Sequence, residues 1–268
     1  EGPQSALYGD HAVGGVVNVI TRGDTQPART EVAVQGGSHG TYGASLAARQ
    51  AVGEARATAG ADWQTSDGYR RNGDYDSLNL RAGVDLPLSD TLHAALLGTY
   101  DHMVNGMPGY LTREAMREDP RQTTSPDDEA ETDTYNANLS LRWFATPDQE
   151  VNTALIVNRR EAASDFHSWM SFTETVVDSL TFTLNHKLDG TLLARPARLL
   201  SGVDLYFDRL EADRFADAAT SIRLLNATVD KGSFGAFING ETDLADKLTL
   251  ALGGRVELAR YAADVATP

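Results

Sequence analysis

The chain has 268 residues, a formal net charge of -15 at pH 7 and a pI near 4.7, so it lacks the basic face that nucleic-acid phosphates demand. It contains no cysteine, which excludes a disulfide framework, a thiolate metal site and thiol redox chemistry. Apolar residues make up 41% and mean hydropathy is -0.34, with no run of about 18 apolar residues to form a membrane-spanning helix. A helical membrane protein is excluded, whereas a transmembrane barrel, which hides its hydrophobicity by alternating it with polar lumen residues, is not.

The first segment reads EGPQSALYGDHAVGGVVNVITRG. Pro3 fixes its own backbone angle and pushes Gly2 towards extended geometry, and Tyr8-Gly9-Asp10 reads as a turn. Gly14-Gly15 then leads into Val16, Val17, Val19 and Ile20, a β-branched run apolar on both faces, as a fully buried strand should be. Together, Gly2-Pro3, Ser5-Ala6-Leu7-Tyr8-Gly9 and Gly14-Gly15-Val16 closely resemble the end of the plug domain of TonB-dependent outer-membrane receptors. The resemblance implies that residues 1–23 are the C-terminal end of a plug, with Gly2, Pro3, Tyr8, Gly9, Gly14 and Gly15 as its structural motif. Residues 24–268 would then be the N-terminal half of a transmembrane barrel.

Beyond Thr30 the chain alternates with period two. In 78–86 every even position is apolar and every odd one is polar or glycine; Tyr135, Ala137, Leu139, Leu141 and Trp143 oppose Asn136, Asn138, Ser140 and Arg142. Val203, Leu205 and Phe207 oppose Asp204, Tyr206 and Asp208, and Leu248, Leu250, Leu252, Val256 and Leu258 oppose Thr249, Gly253, Arg255 and Glu257. Such alternation fits strands with one oily and one wet face. The runs reach roughly ten to fourteen residues, longer than the usual globular strand of about five or six, while a tilted membrane strand needs about nine to eleven.

This predicts eleven strands, near 30–36, 41–50, 55–65, 75–86, 91–102, 133–145, 150–161, 174–187, 197–210, 226–243 and 248–261. Short turns near 51–54, 87–90, 146–149, 188–196 and 244–247 all fall at one end. Long polar loops near 103–132, 162–173 and 211–224 fall at the other. That asymmetry is the outer-membrane pattern of short periplasmic turns and long outer loops. The fold class is therefore all-β, a transmembrane antiparallel barrel holding about 11 of the ~22 strands of a plugged transporter. A half barrel leaves unpaired edges in lipid, so the chain is expected to be a fragment of a longer protein.

Recognition belongs to loops carried on a rigid scaffold. The loop after Met103 holds Tyr110 and the cations Arg113, Arg117 and Arg121, suited to an anionic, aromatic-rich iron chelate through charge-assisted bonds and stacking. His167 and Trp169, in another outer loop, are further ligand-binding candidates, and haem capture would need His102 as a second histidine near His167. The acidic run Asp127, Asp128, Glu129, Glu131 and Asp133 lacks the spacing of a calcium loop and reads as a solvated face. Arg81, Asp85, Arg142, Asp204, Asp208, Arg255 and Glu257 face the lumen by parity, where they should pair with one another and with the plug.

No nucleophile triad, metal-binding histidine pair or phosphate loop is evident, so the sequence predicts no catalytic residue, no metal ligand, no cofactor and no enzyme activity. The resemblance implies a TonB-dependent active transporter of the Gram-negative cell outer membrane that imports a scarce ligand, with a ferric siderophore expected ahead of cobalamin or another large nutrient. Its partners would be that ligand, the inner-membrane TonB protein acting through a segment absent here, and outer-membrane lipid and lipopolysaccharide, with no nucleic acid. The cross-class rival is a structural or adhesive β-protein of the cell surface.

Overall fold

The computed structural model describes residues 28–192, 194–245 and 247–267. The plug motif of Gly2, Pro3, Tyr8, Gly9, Gly14 and Gly15 lies outside the described residues. Eleven strands follow in order: β1 (Arg29–Gly36), β2 (Tyr42–Val52), β3 (Ala55–Ser66), β4 (Tyr75–Pro87), β5 (Leu92–Gly106), β6 (Glu129–Thr146), β7 (Gln149–Phe166), β8 (Ser171–Leu192), β9 (Arg195–Phe215), β10 (Arg223–Ala245) and β11 (Leu248–Ala266). Each pairs antiparallel with its sequence neighbours in one sheet of order β1 to β11.

Register follows from the alternation, because a slip of one residue would carry every apolar side chain to the wet face. The cross-strand row Val84–Leu96–Leu139–Leu155–Phe182–Leu205–Phe234–Leu258 is apolar from end to end. One residue along, the row Asp85–Ala95–Ser140–Ala154–Thr183–Asp204–Gly235–Glu257 is polar or small throughout. The sheet thus separates the two faces as the sequence predicts, with Arg81, Asp85, Arg142, Asp204, Asp208, Arg255 and Glu257 all on the polar one.

This sheet does not bury its apolar face. Among the described residues only Phe172, Phe215 and Phe237 are buried hydrophobics, whereas Leu96 is 50% exposed and Leu258 66%. A continuous apolar face of this extent requires an apolar layer to cover it. Along β6 it is bounded by Tyr135 and Trp143, eight residues apart, or about 27 Å of strand at ~3.4 Å per residue. That is of the order of the ~25 Å apolar band of an outer-membrane barrel, with aromatic residues at its rims.

The polar face holds itself together by ion pairs. Arg255 reaches from β11 across Gly235 to Asp204 on β9 (2.7 Å) and also meets Glu257 (2.9 Å), with the guanidinium over the ring of Phe237. A Cβ at position 235 would collide with that guanidinium, so glycine is what lets the bridge span β10. Arg142 pairs with Asn152 and Glu150.

The strands run further than the alternation predicts. β8, β9 and β10 have 22, 21 and 23 residues. With β5, β6 and β7 they absorb much of the expected loops, leaving 107–128, 167–170 and 216–222, and β8 and β9 take up most of the expected 188–196 turn. Strand ends standing in water can be polar on both faces, so alternation stops while the hydrogen-bonded ladder continues. The end asymmetry stands: the connections after β2, β4, β6, β8 and β10 lie at one end, and 37–41, 67–74, 107–128, 167–170 and 216–222 at the other.

Candidate functional site in the loop end

Segment 107–128 folds into a compact roof around a short helix, α1 (Arg113–Glu118). Thr112 caps it, its hydroxyl accepting from the Ala115 N–H at 3.2 Å, with Glu114 in the first turn and Arg117 in the last, as the helix dipole favours. The helix is a departure from the all-strand expectation. It is too short to hold alone, and its position depends on neighbouring loops.

Three residues of the 67–74 loop supply that support. Arg70 donates to the carbonyls of Gln122 (3.0 Å), Pro108 (2.9 Å) and Gly109. Arg71 pairs with Asp119 at 2.9 Å, and its N–H donates to the Arg121 carbonyl. Asn72 donates to the carbonyls of Ser125 (2.6 Å) and Asp128 (2.8 Å). The 67–74 loop turns tightly enough to do this because Gly68 sits at φ 71°, where a Cβ would run into the Gly73 carbonyl.

Asp128 ties in the third loop. It is 3% exposed, and its carboxylate accepts from the Ser168 N–H (2.9 Å) and from the Ser168 hydroxyl. Burial opposes its ionisation, but the Ser168 hydroxyl and N–H, Ser125 and nearby His167 outweigh that and hold the carboxyl below its usual range. Loops 67–74, 107–128 and 167–170 therefore form one hydrogen-bonded assembly.

The predicted ligand residues occupy distinct places on this roof. Tyr110 is 73% exposed. Arg113 and Arg117, four residues apart on α1, share one helix face, and among the described residues no ion pair holds either. Arg121 is committed to structure: it donates to the Tyr69 carbonyl at 3.0 Å and lies over the Tyr69 ring, which His39 meets edge-on. His167 opens a 3-10 turn (His167–Trp169) and stands edge-on to Phe172. Trp169 and Met170 beside it are each 67% exposed. His102 faces Asp133 on the sheet wall, engaged away from His167. The acidic run is divided, Asp128 being buried under Ser168 while Glu131 and Asp133 stand on β6. Sequence reasoning passes over Tyr69, Arg70 and Asn72, although Gly68 and Gly73 bracket them.

Comparison with solved structures assigns the architecture. Over 99% of its length the chain superposes on 43% of the unliganded ferric citrate transporter FecA, with a TM-score of 0.85 at 15% identity. It matches FpvA of Pseudomonas aeruginosa bound to heterologous pyoverdines over 100% of this chain and 42% of that one (TM-score 0.85, 14% identity). The sheet has the fold of half a TonB-dependent receptor barrel. The ferric yersiniabactin uptake receptor FyuA from Yersinia pestis matches similarly, over 98% of this chain and 44% of that one, with a TM-score of 0.81 and 16% identity. The chain thus spans less than half the length of these receptors, and no protein-family model matches it. These neighbours are transporters and receptors rather than enzymes.

Proposed function

We propose that the chain is part of a TonB-dependent active transporter of the Gram-negative outer membrane, and that it imports a ferric siderophore. Residues 1–23 close the plug and residues 24–268 form the first half of the barrel. The apolar face meets lipid, the polar face lines the lumen, and the loop end lies outside the cell. The observation that carries this reading is the match of the chain, over 98–100% of its length, to a ferric citrate transporter, to a receptor bound to pyoverdines and to a ferric yersiniabactin uptake receptor. The loop roof supports the ligand class: a pre-organised surface presents Tyr110, Arg113, Arg117, His167 and Trp169 without having to order itself on binding, which preserves affinity for an anionic, aromatic chelate. Arg121 contributes by positioning Tyr69. TonB would act through the rest of the plug.

The test uses the full-length receptor in an iron-starved host stripped of its own receptors and supplied with a panel of ferric chelates, and, separately, in an iron-replete, cobalamin-dependent host supplied with cobalamin. Growth on at least one ferric siderophore, lost when TonB is deleted and weakened by combined Arg113→Ala and Arg117→Ala, is the expected result. Rescue by cobalamin alone would refute the siderophore assignment, and TonB-independent growth would refute active transport.

A further inference from the structure

On the apolar face, one step beyond the Tyr100–Tyr135 pair, the β5–β6 ladder sets His102 directly opposite Asp133, with Glu131 two residues further along the same face of β6. The Nδ1 of His102 lies 3.0 Å from Asp133 Oδ1 and 3.9 Å from Glu131 Oε1. One ligand atom from each of the three side chains falls within 4.8 Å of the others. We propose that His102, Glu131 and Asp133 bind a divalent transition-metal ion, Zn²⁺ fitting best, on the outer wall of the sheet and apart from the loop roof.

Geometry comes first. Tetrahedral Zn²⁺ with ligand bonds of about 2.0–2.2 Å spaces its donor atoms roughly 3.3–3.5 Å apart, a value between the two separations observed. Rotation of the Glu131 side chain, which must bring its carboxylate about half an ångström closer to His102, would complete the site without moving the paired backbone beneath it. The donor set decides the metal class: Ca²⁺ and Mg²⁺ prefer oxygen ligands alone, whereas one imidazole with two carboxylates suits Zn²⁺ or a neighbouring first-row ion.

Charge supplies the second, independent argument. Several carboxylates elsewhere on the strands stand beside arginine or lysine: Asp178 and Glu161 by Arg159, Glu211 by Arg209, Asp189 by Lys187 and Arg198, and Asp213 by Arg223. Glu131 and Asp133, side by side on one face, have His102 as their ion-pair partner among the described residues. A bound cation would relieve that repulsion, which a neutral imidazole does not. The Tyr100 hydroxyl donates to Asp133 Oδ1 at 2.6 Å and so fixes the carboxylate's orientation, the role an outer-shell partner plays at a metal site.

The experiment takes the full-length receptor, folded in detergent and stripped with a chelator, and titrates it with Zn²⁺ against a chromogenic competitor. The wild type should take up Zn²⁺ with an affinity at least about tenfold higher than either His102→Gln or Asp133→Asn, both variants retaining the heat-modifiable gel mobility of a folded barrel. Co²⁺ in place of Zn²⁺ should give a visible absorption band that the His102→Gln variant lacks. Should either variant fail to fold, Glu131→Gln, which leaves the His102–Asp133 pair intact, should weaken uptake by the same margin. Equal binding by wild type and variants, or a cobalt band that persists without His102, would overturn the proposal.

Discussion

The sheet wall and the loop roof are held by different forces, and the contrast explains what each can do. In the wall, backbone ladders fix the strands and the side chains divide by parity into an apolar and a polar face. In the roof there is little ladder and almost no apolar core; single side chains such as Arg70, Asn72 and Asp128 bond to backbone groups of other loops. A wall of this kind tolerates change on its polar face and resists charge on its apolar one. A roof of this kind is rigid while those few anchors hold and loosens when one is removed, so recognition and stability are separately adjustable.

The largest effect should come from placing a charge in the middle of the apolar row. Leu139→Arg, midway between Tyr135 and Trp143 on β6, should cost about 2–4 kcal/mol in denaturant unfolding of the full-length receptor from lipid vesicles, while Ser140→Arg beside it should cost well under half as much. Leu80→Arg should cost less than Leu139→Arg, since Leu80 pairs with Tyr100 at the rim. Equal costs at 139 and 140 would abolish the distinction between the faces.

Next in size is the principal roof anchor. Arg70→Ala removes the Arg70 donor from the Gln122 and Gly109 carbonyls, while Pro108 keeps the Thr124 N–H and the Thr123 hydroxyl, and should destabilise the 107–128 segment by about 1–3 kcal/mol, read as faster hydrogen exchange there with β8–β10 amides unchanged. Gly68→Ala, which puts a Cβ into the Gly73 carbonyl at a positive φ, should cost about 1–3 kcal/mol in the same assay. The smallest effect is on pH dependence. Asp128 has a folded-state pKa below its ordinary value, so its stabilisation is fully present above about pH 4 and is lost as pH falls through the lower folded value. Limited proteolysis of the 107–128 segment should therefore accelerate below about pH 4 in the wild type, and Asp128→Asn should be proteolysed faster at neutral pH with no further acid step. A wild-type segment equally resistant at acid pH would break the link between Asp128 and the roof.

All eleven strands and the short-turn, long-loop asymmetry were legible from the sequence because an apolar surrounding imposes period two on every strand that crosses it. Their extensions were not, since the ends of β8, β9 and β10 stand where both faces can be wet. The roof was only half legible. Tyr110, Arg113 and Trp169 are exposed as their polar, loop-like context suggests, but Arg121 is folded onto Tyr69, and Asp128 is buried inside what reads as a solvated acidic run. Those assignments depend on contacts between loops distant in sequence, which no local pattern encodes. The facing of His102 and Asp133 was hidden for a related reason: the long 107–128 connection leaves the β5–β6 register unspecified by any turn, so only parity, and not pairing, could be read.

The central claim, that the apolar face of this sheet meets lipid, is tested most directly by site-specific labelling. The chain has no cysteine of its own, so single cysteines at Leu139 and Ser140 in the full-length receptor, with any cysteines outside this chain removed, can each carry a fluorophore in vesicles. A lipid-soluble quencher should reach the label at 139 and not the one at 140. If both labels respond alike, or only a water-soluble quencher reaches 139, the sheet does not face a membrane as described.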